Sequence, residues 1–406
     1  MTKVPEEFTE ALPILQKLNK AGYEAYFVGG SVRDTLLNRP IHDVDIATSA
    51  YPAEVKALFN RTVDTGIEHG TVMVLDHGTG YEVTTFRTES GYQDFRRPDK
   101  VTFVRSLKED LKRRDFTINA LAMSADGKIT DLFGGIADMK KKIIRAVGMA
   151  DKRFHEDALR MMRAIRFASQ LDFVVEDNTL TGIKDNHMLL RKIAVERCHT
   201  EFVKMMLGAD PSMGLKMMIE TELFLAMPGF ENQKVGLEKL MSQSLKLKNE
   251  AQVWAIIAFY FELNISQTQK LLRNWKSSVK LIKEVTLTYQ VLLKIANNQV
   301  NDFDLFEAQE VGVKNAVDLI SYTDSTLDGD KIVQRFKRLP ITEAKQLKIS
   351  GGELIKQKVL SPSPLLGEIL KILVKQVVQG KVVNQKDQLI EASKKIKAQK
   401  LQERSN

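Results

Sequence analysis

The chain has 406 residues, enough for two to four domains with cores of their own. Hydrophobic residues make up 43% and charged residues 28%, the balance of an ordinary folded soluble protein and not of a disordered or fibrous one. The net charge of +8 at pH 7 favours a polyanionic partner, and the single cysteine, Cys198, excludes an intramolecular disulfide and fits a reducing cytoplasm.

No apolar run follows a basic start at the N-terminus, so no signal peptide is expected. The longest apolar run, residues 253–261, is too short to span a bilayer and predicts a buried helix, so no membrane is expected as a partner. Cys198 is expected to be a buried structural thiol. Residues 8–20 carry Phe8, Leu12, Leu15 and Leu18 at helical spacing and predict an opening helix packed on a sheet. A short strand over 26–28 runs into Gly29-Gly30 and then a helix, and a second apolar run over 44–47 predicts another strand. Residues 52–59 read as a helix with Pro52 in its first turn. Strands over 70–75 and 81–87, rich in β-branched residues and separated by Asp76-His77-Gly78-Thr79-Gly80, predict a hairpin. Glu82 shares a strand face with Thr84 and Phe86, where it is either a third acid near the site or a glutamate on a wet sheet face.

Residues 88–105 are polar, basic and dotted with aromatics, without a strand or helix period, and read as a mobile loop beside the site. Residues 111–121 read as a helix with a polar, basic face, on which Asp115 and Asn119 are four apart. After Gly134-Gly135 and Lys140-Lys141-Lys142 the pattern turns helical and stays so, which places a boundary near residue 145. Breaks at Gly208-Ala209-Asp210-Pro211, Pro228-Gly229 and Asp328-Gly329-Asp330 divide the helical part further. From Lys371 onward nine basic residues face three acids, an excess of +6, so much of the positive charge lies in a terminal helix that suits either RNA phosphates or solvent.

Two stretches carry the chemistry. In Val28-Gly29-Gly30-Ser31-Val32-Arg33-Asp34 the glycines let backbone N–H groups approach a phosphate at a helix start, and Arg33 offers a bidentate fork. Asp43 and Asp45, at i and i+2 in a strand, point the same way, and two carboxylates beside a phosphate cradle suit Mg²⁺ shared with substrate phosphates. Either half alone is commonplace, a turn or a solvated strand edge; together they are informative. A third stretch, Arg153-Phe154-His155-Glu156-Asp157-Ala158-Leu159-Arg160-Met161-Met162-Arg163-Ala164-Ile165-Arg166, reads as one helix at about 3.6 residues per turn. Ala158, Met161, Met162, Ile165 and Ala168 form its packed side, and Asp157, Arg160 and Arg163 lie opposite, as a binding face or as a solvated stripe with an ion pair between Asp157 and Arg160. His42-Asp43 lacks the further ligands of a helical phosphohydrolase, and Cys-x-x-Cys zinc pairs, a P-loop and a Gly-x-Ser-x-Gly elbow are all missing.

The combination Gly-Gly-x-Val-Arg-Asp with Asp-x-Asp-Ile-Ala resembles the signature of the nucleotidyltransferase superfamily, most closely the bacterial tRNA nucleotidyltransferases (CCA-adding enzymes) and their poly(A) polymerase relatives. Arg113-Arg114-Asp115-Phe116-Thr117-Ile118-Asn119-Ala120 is similar to the family's second signature, and Glu156-Asp157-x-x-Arg160-x-x-Arg163 to its nucleotide-selecting motif. Leu347-Lys348-Ile349-Ser350-Gly351-Gly352-Glu353-Leu354 resembles, more loosely, a tail element of the Gram-positive type. The resemblance implies an α/β nucleotidyltransferase head with a small mixed sheet over residues 1–145, followed by an all-α neck (146–212), body (213–310) and basic, tRNA-binding tail (311–406). It implies a cytoplasmic enzyme adding CCA to the tRNA 3′ end from CTP and ATP, and it admits a homodimer. Asp43 and Asp45 would be the catalytic and metal-binding residues, holding Mg²⁺. Gly30, Arg33 and Arg114 would hold the triphosphate, and Asp157 and Arg160 would read the base, with Arg163 and Arg166 completing the nucleotide pocket or holding phosphate. The alternatives are a poly(A) polymerase or a CC- or A-adding enzyme on the same scaffold and, from another class, a catalytically silent RNA-binding protein; the uninterrupted 88–105 stretch weighs against a CC-only enzyme.

Overall fold

The computed structural model describes residues 5–41, 43–93 and 97–405. The chain divides into two compact units, one through Lys246 and the other from Leu247.

The first unit opens with helix α1 (Glu6–Lys20), which buries Phe8, Leu15 and Leu18 as the apolar spacing predicts, while Leu12 is only half-buried and Ile14 is buried instead. Strand β1 (Ala25–Val28), helix α2 (Gly30–Leu36), strand β2 (Asp45–Thr48) and helix α3 (Pro52–Leu58) follow, then β3 (Thr62–Gly66) and the hairpin β4 (Thr71–Asp76) and β5 (Thr79–Thr85). His77 and Gly78 turn this hairpin with positive φ at both, the conformation that matches strand twist. The expected loop over 88–105 is instead a second hairpin, β6 (Arg87–Gln93) and β7 (Arg97–Phe103), paired antiparallel from Arg87↔Phe103 to Gln93↔Arg97; residues 94–96 lie outside the described residues. Its strands are polar, so no hydrophobic alternation marks them, and cross-strand backbone pairing carries the fold there.

Helix α4 (Leu107–Lys112) leads to β8 (Leu121–Met123) and β9 (Ile129–Asp131), and then come α5 (Gly135–Lys140) and the short β10 (Ile143–Ile144). Of the helix expected over 111–121 only the first two residues are helical, as the end of α4. Phe116 bridges Ala146 and the Thr117 N–H donates to the Arg145 carbonyl at 2.9 Å, so residues 116–119 are drawn to a distant segment and form a short 3₁₀ turn. The sheet runs β3-β4-β5-β2-β1-β8-β9, mixed, with β2 and β5 parallel and the other pairs antiparallel. Two-residue turns cannot join the parallel pair, and α3 with the β3–β4 excursion makes the crossover.

Beyond the sheet the chain is helical: α6 (Ala150–Glu156), α7 (Leu159–Leu171), a two-residue β11 (Val174–Val175) beside β10, α8 (Asp177–Asn186), α9 (Val195–Met206), α10 (Pro211–Glu220) and α11 (Lys234–Met241). Asp210 caps α10 through the Met213 N–H, and Pro211 occupies its first turn, which explains the break seen in the sequence.

The second unit contains α12 (Glu250–Tyr260), α13 (Ile265–Asn274), α14 (Val279–Ala296), α15 (Asp302–Asp318), α16 (Gly329–Lys337), α17 (Gly351–Lys356), α18 (Pro364–Val378) and α19 (Lys386–Ser405). Helix α12 is buried from Ala251 to Ala258, the helix expected of the long apolar run, and Trp254 meets Trp275 with ring centroids 5.0 Å apart. The basic helix α19 buries Leu389, Ala392, Ser393 and Ile396, while Lys394 and Lys395 remain exposed. No helix among the described residues is long and apolar enough to cross a membrane.

Candidate active site

β1 ends at Val28, and the chain reverses through Gly29 at φ +74, a left-handed conformation in which a side chain is strained. A Cβ there would also stand 3.0 Å from Arg114 Nη1 and 3.9 Å from Asp45 Oδ2. Gly29 thus needs to be glycine because the backbone passes between an arginine and a carboxylate, a role the sequence left undivided between the two glycines. At Gly30 a Cβ would meet only Arg33 Nη2, at an ordinary 3.7 Å.

Asp43 precedes β2 rather than belonging to it, and Asp45 is its first residue, yet both line one cleft. In the parallel pairing Ile46 lies opposite Val83, which brings Glu82 of β5 beside Asp45. Burial raises the Asp45 carboxyl above the usual aspartate range; Arg114 works against this, and the charges of Glu82 and Asp43 add to it. Carboxylates crowded in this way are short of positive charge. No three acidic, histidine or cysteine groups converge as a ligand set among the described residues. Asp43 and Asp45, with Glu82 close behind, are a donor set that suits a divalent cation completed by substrate phosphate. His42 lies outside the described residues.

The phosphate-binding candidates differ in how firmly they are held. Arg33 forks onto Asp34 with Nε and Nη2 at 2.9 and 2.8 Å, and its Nη1 donates to Asn119 Oδ1 at 2.7 Å. Asn119 Nδ2 donates to Asp115 Oδ1 at 3.0 Å, and Asp115 Oδ2 accepts from Arg163 Nε at 2.8 Å. The expected closeness of Asp115 and Asn119 is real, though a 3₁₀ turn brings it about. Burial opposes the Asp115 charge, but Arg163 and the Asn119 hydrogen bond outweigh it and hold the carboxyl well below the usual range. Arg114 reaches Asp110 Oδ2 at 3.3 Å, while its Nε is buried without a hydrogen-bond partner.

The expected single helix over 153–166 is two, α6 and α7, with Asp157 extended between them at φ −140, ψ 103. Its Oδ1 accepts the Leu159 N–H at 3.0 Å and starts α7, and its Oδ2 accepts from Arg197 Nη2 at 3.2 Å. Arg160 is buried, with Nη1 on Glu156 Oε2 at 2.8 Å and Nη2 on the Arg113 carbonyl at 3.0 Å. Asp157 and Arg160 thus have separate partners, and the helix-surface ion pair between them does not form. The packed side is as the spacing predicts, with Ala158, Met161, Met162, Ile165 and Ala168 all buried. Arg166 Nε lies 2.6 Å from Glu201 Oε2, and burial pushes its guanidinium down to about 10, still charged at neutral pH. Arg33, Arg163 and Arg166 gather around the Phe167 ring with Cζ atoms 5.0, 5.2 and 4.0 Å from its centroid.

Gly30, Arg33, Asp43, Asp45, Arg114, Asp157, Arg160, Arg163 and Arg166 all line a single cleft of about 920 Å³. Sequence reasoning did not name Arg87, Arg197, Glu201 or Lys204, and gave Gly29 and Arg113 no separate place in the site, yet all six line it too. For α9 a signal existed: Arg197, Thr200, Glu201 and Lys204 recur at helical spacing and form one face. Cys198, beside Arg197 in sequence, is buried and free, its thiol pushed up to about 12 by burial, as an inert thiol would be.

This arrangement can be set beside known proteins. Residues 25–145 match the poly A polymerase head domain family, 172–234 a family described as an RNA- and SrmB-binding site of polymerase A, and 245–393 the tRNA nucleotidyltransferase domain 2 family. A CCA-adding enzyme of Ligilactobacillus salivarius is 51% identical over 98% of this chain and 99% of that protein. The chain belongs to the CCA-adding enzyme family. A second CCA-adding enzyme, from Limosilactobacillus fermentum, is 52% identical over 96% of this chain and 97% of its own. The crystal structure of the Bacillus stearothermophilus CCA-adding enzyme in complex with CTP superposes with a TM-score of 0.87 at 38% identity, covering 99% of this chain and 100% of that one.

Proposed function

We propose that this CCA-adding enzyme extends the 3′ end of tRNA by C, C and A, without a nucleic-acid template, binding CTP and ATP in turn in the 920 Å³ cleft and releasing pyrophosphate. The observation that carries this reading is that two carboxylates, a row of arginines and an Asp/Arg pair line the same cleft. Asp43 and Asp45 would hold Mg²⁺, with Glu82 adding negative charge behind Asp45. A cation held there would supply Lewis acidity toward the RNA 3′-hydroxyl and positive charge toward the leaving pyrophosphate. Arg114, with its Nε unpartnered, is the arginine readiest for the triphosphate; Arg33, tied to Asp34 and Asn119, sets the wall beside it. The four-part division at residues 145, 212 and 310, the tRNA-binding role of the tail and a cytoplasmic location belong to the same proposal.

Base choice follows from hydrogen-bond polarity. Adenine and cytosine present an amino donor beside a ring-nitrogen acceptor, which complement the Asp157 carboxylate and the Arg160 guanidinium. Uracil and guanine present a carbonyl beside an N–H, so acceptor meets acceptor and donor meets donor, at about 1–3 kcal/mol for each unpaired group. Three contacts on Arg160, to Glu156 and to the Arg113 and Arg153 carbonyls, fix its guanidinium plane. Single-turnover incorporation of all four nucleotides into tRNA lacking its 3′ end tests this. Asp157→Ala and Arg160→Ala are each expected to lower CTP and ATP addition and to narrow the gap to UTP and GTP by about 10- to 100-fold. Equal losses for all four nucleotides would make both residues structural.

A further inference from the structure

The carbonyl of Arg113, at the end of α4, takes guanidinium donors from two later helices. Arg153 of α6 donates Nη2 to it at 2.6 Å, and the same nitrogen lies 3.5 Å from the next carbonyl, that of Arg114. Arg160 of α7 donates its own Nη2 to the Arg113 oxygen at 3.0 Å. Carbonyls at a helix end lack partners within the helix, and positive charge is favourable there. Glu156 stands between the two arginines, accepting from Arg153 Nη1 on one oxygen at 3.1 Å and from Arg160 Nη1 on the other at 2.8 Å.

Each half of the nucleotide site has supports of its own. On the phosphate side, Asp110 accepts from Arg113 Nη2 at 2.8 Å and from Arg114 Nη2 at 3.3 Å. On the base side, Arg160 is held by Glu156 and by the Arg153 carbonyl. The two bonds to the Arg113 carbonyl join the halves. Arg160 lines the cleft, and its donors are the ones a base would draw on; Arg153 does not line the cleft, so no nucleotide competes for its bond.

We propose that Arg153 is a positioning residue that sets the distance between the base-reading and triphosphate-holding halves of the site, by tying the Arg113–Arg114 backbone to the segment that carries Asp157 and Arg160. This rests on reading Arg160 as a base contact and Arg114 as a triphosphate contact. A nucleotide spans both halves, so its reacting phosphorus meets the RNA 3′-hydroxyl in a productive geometry only while that distance is held. Cytidine or inorganic tripolyphosphate engages one half alone and is indifferent to the distance.

The test uses the full chain with Arg153→Met and Arg153→Lys, single-turnover CTP addition to tRNA lacking its 3′ end, and inhibition of that addition by cytidine and by tripolyphosphate. Arg153→Met is expected to slow addition at saturating CTP about 10- to 100-fold, the cost of a small misplacement of reacting groups. Both inhibitors should keep their wild-type constants. Arg153→Lys, which still offers a point charge to one carbonyl, should recover part of the rate. An unchanged rate in Arg153→Met would leave the spacing to Arg160 alone. Weaker tripolyphosphate inhibition would reduce Arg153 to a support of Arg114, and weaker cytidine inhibition to a support of Arg160; weakening of both would make it a support of the fold. Any of these overturns the spacing role. Arg114→Gln and Arg160→Ala check the underlying reading separately: the first should weaken tripolyphosphate only and the second cytidine only, and if either leaves its probe unchanged that reading fails. Should Arg153→Met not fold, the lysine variant decides by the same three measurements.

Discussion

Among the described residues, Arg33, Asp110, Asp138, Arg160, Arg166 and Glu201 are the buried acidic and basic side chains, and all six lie in the first unit. The buried polar residues of the second unit, Gln252, Thr268, Thr288, Asn315 and Ser393, are neutral. Burying charge is expensive, and a pair of ions rarely outperforms a well-packed apolar substitute. The first unit carries that cost around its cleft, where every buried arginine has a carboxylate partner: Arg33 with Asp34, Arg160 with Glu156, Arg166 with Glu201. The second unit has no such demand and is held by apolar packing, mostly aliphatic with the Trp254–Trp275 pair among it, and Tyr289 Oη also donates to the Leu263 carbonyl at 2.6 Å. The difference teaches where stability and chemistry are separable in this chain.

The largest expected effect is in the first unit. Asp43→Ala and Asp45→Ala should each lower addition of both CTP and ATP by at least about 100-fold, about 2.7 kcal/mol of transition-state stabilisation, with tRNA affinity nearly unchanged. Retention of more than about a tenth of the wild-type rate, a loss below ~1.4 kcal/mol, would contradict the metal assignment.

The reciprocal break is in the second unit. Trp254 is 1% exposed, and Trp254→Ala should destabilise by about 3–5 kcal/mol, seen as an early thermal transition, while nucleotide binding measured below that transition is preserved. Loss of nucleotide binding in the cold would mean that the units are not separable.

A smaller and pH-dependent effect sharpens the contrast. Because the folded Asp115 carboxyl titrates below the unfolded one, its contribution is fully present above the ordinary aspartate range and fades as pH falls through the lower, folded value. Asp115→Asn should therefore cost about 2–3 kcal/mol at neutral pH and progressively less in acid. A cost independent of pH from 7 down to about 2 would show that shape, and not charge, is what Asp115 supplies.

The smallest effect is expected at the tail. Deleting α19 would uncover the surface that Leu389 and Ile396 bury, so charge is better removed at exposed positions. Lys394→Gln with Lys395→Gln should leave the melting temperature unchanged and make the log–log dependence of tRNA affinity on salt shallower by about 1 to 2. An unaltered slope would return α19 to the role of a solvated helix.

The elements around Gly29-Gly30 and Asp43/Asp45 were legible in the sequence because their signals are local: a glycine turn, a strand period, carboxylates two apart. Gly30, Arg33, Asp43 and Asp45, named from such patterns, line one cleft with Arg114, Asp157, Arg160, Arg163 and Arg166, whose roles came from the family resemblance, and the apolar side of α7 is the one its spacing predicts. What the sequence could not decide was set by partners far along the chain. Phe116 and Thr117 are drawn to residues 145–146, which ends a helix the local text favours. The polar strands β6 and β7 exist through pairing with each other and show no alternation. Asp157 leaves the helix to cap α7 and meet Arg197, forty residues on. Periodicity records which face of a segment is apolar; it does not record which distant donor will satisfy a buried carboxylate, and at this cleft those distant donors fix the orientation of the charges.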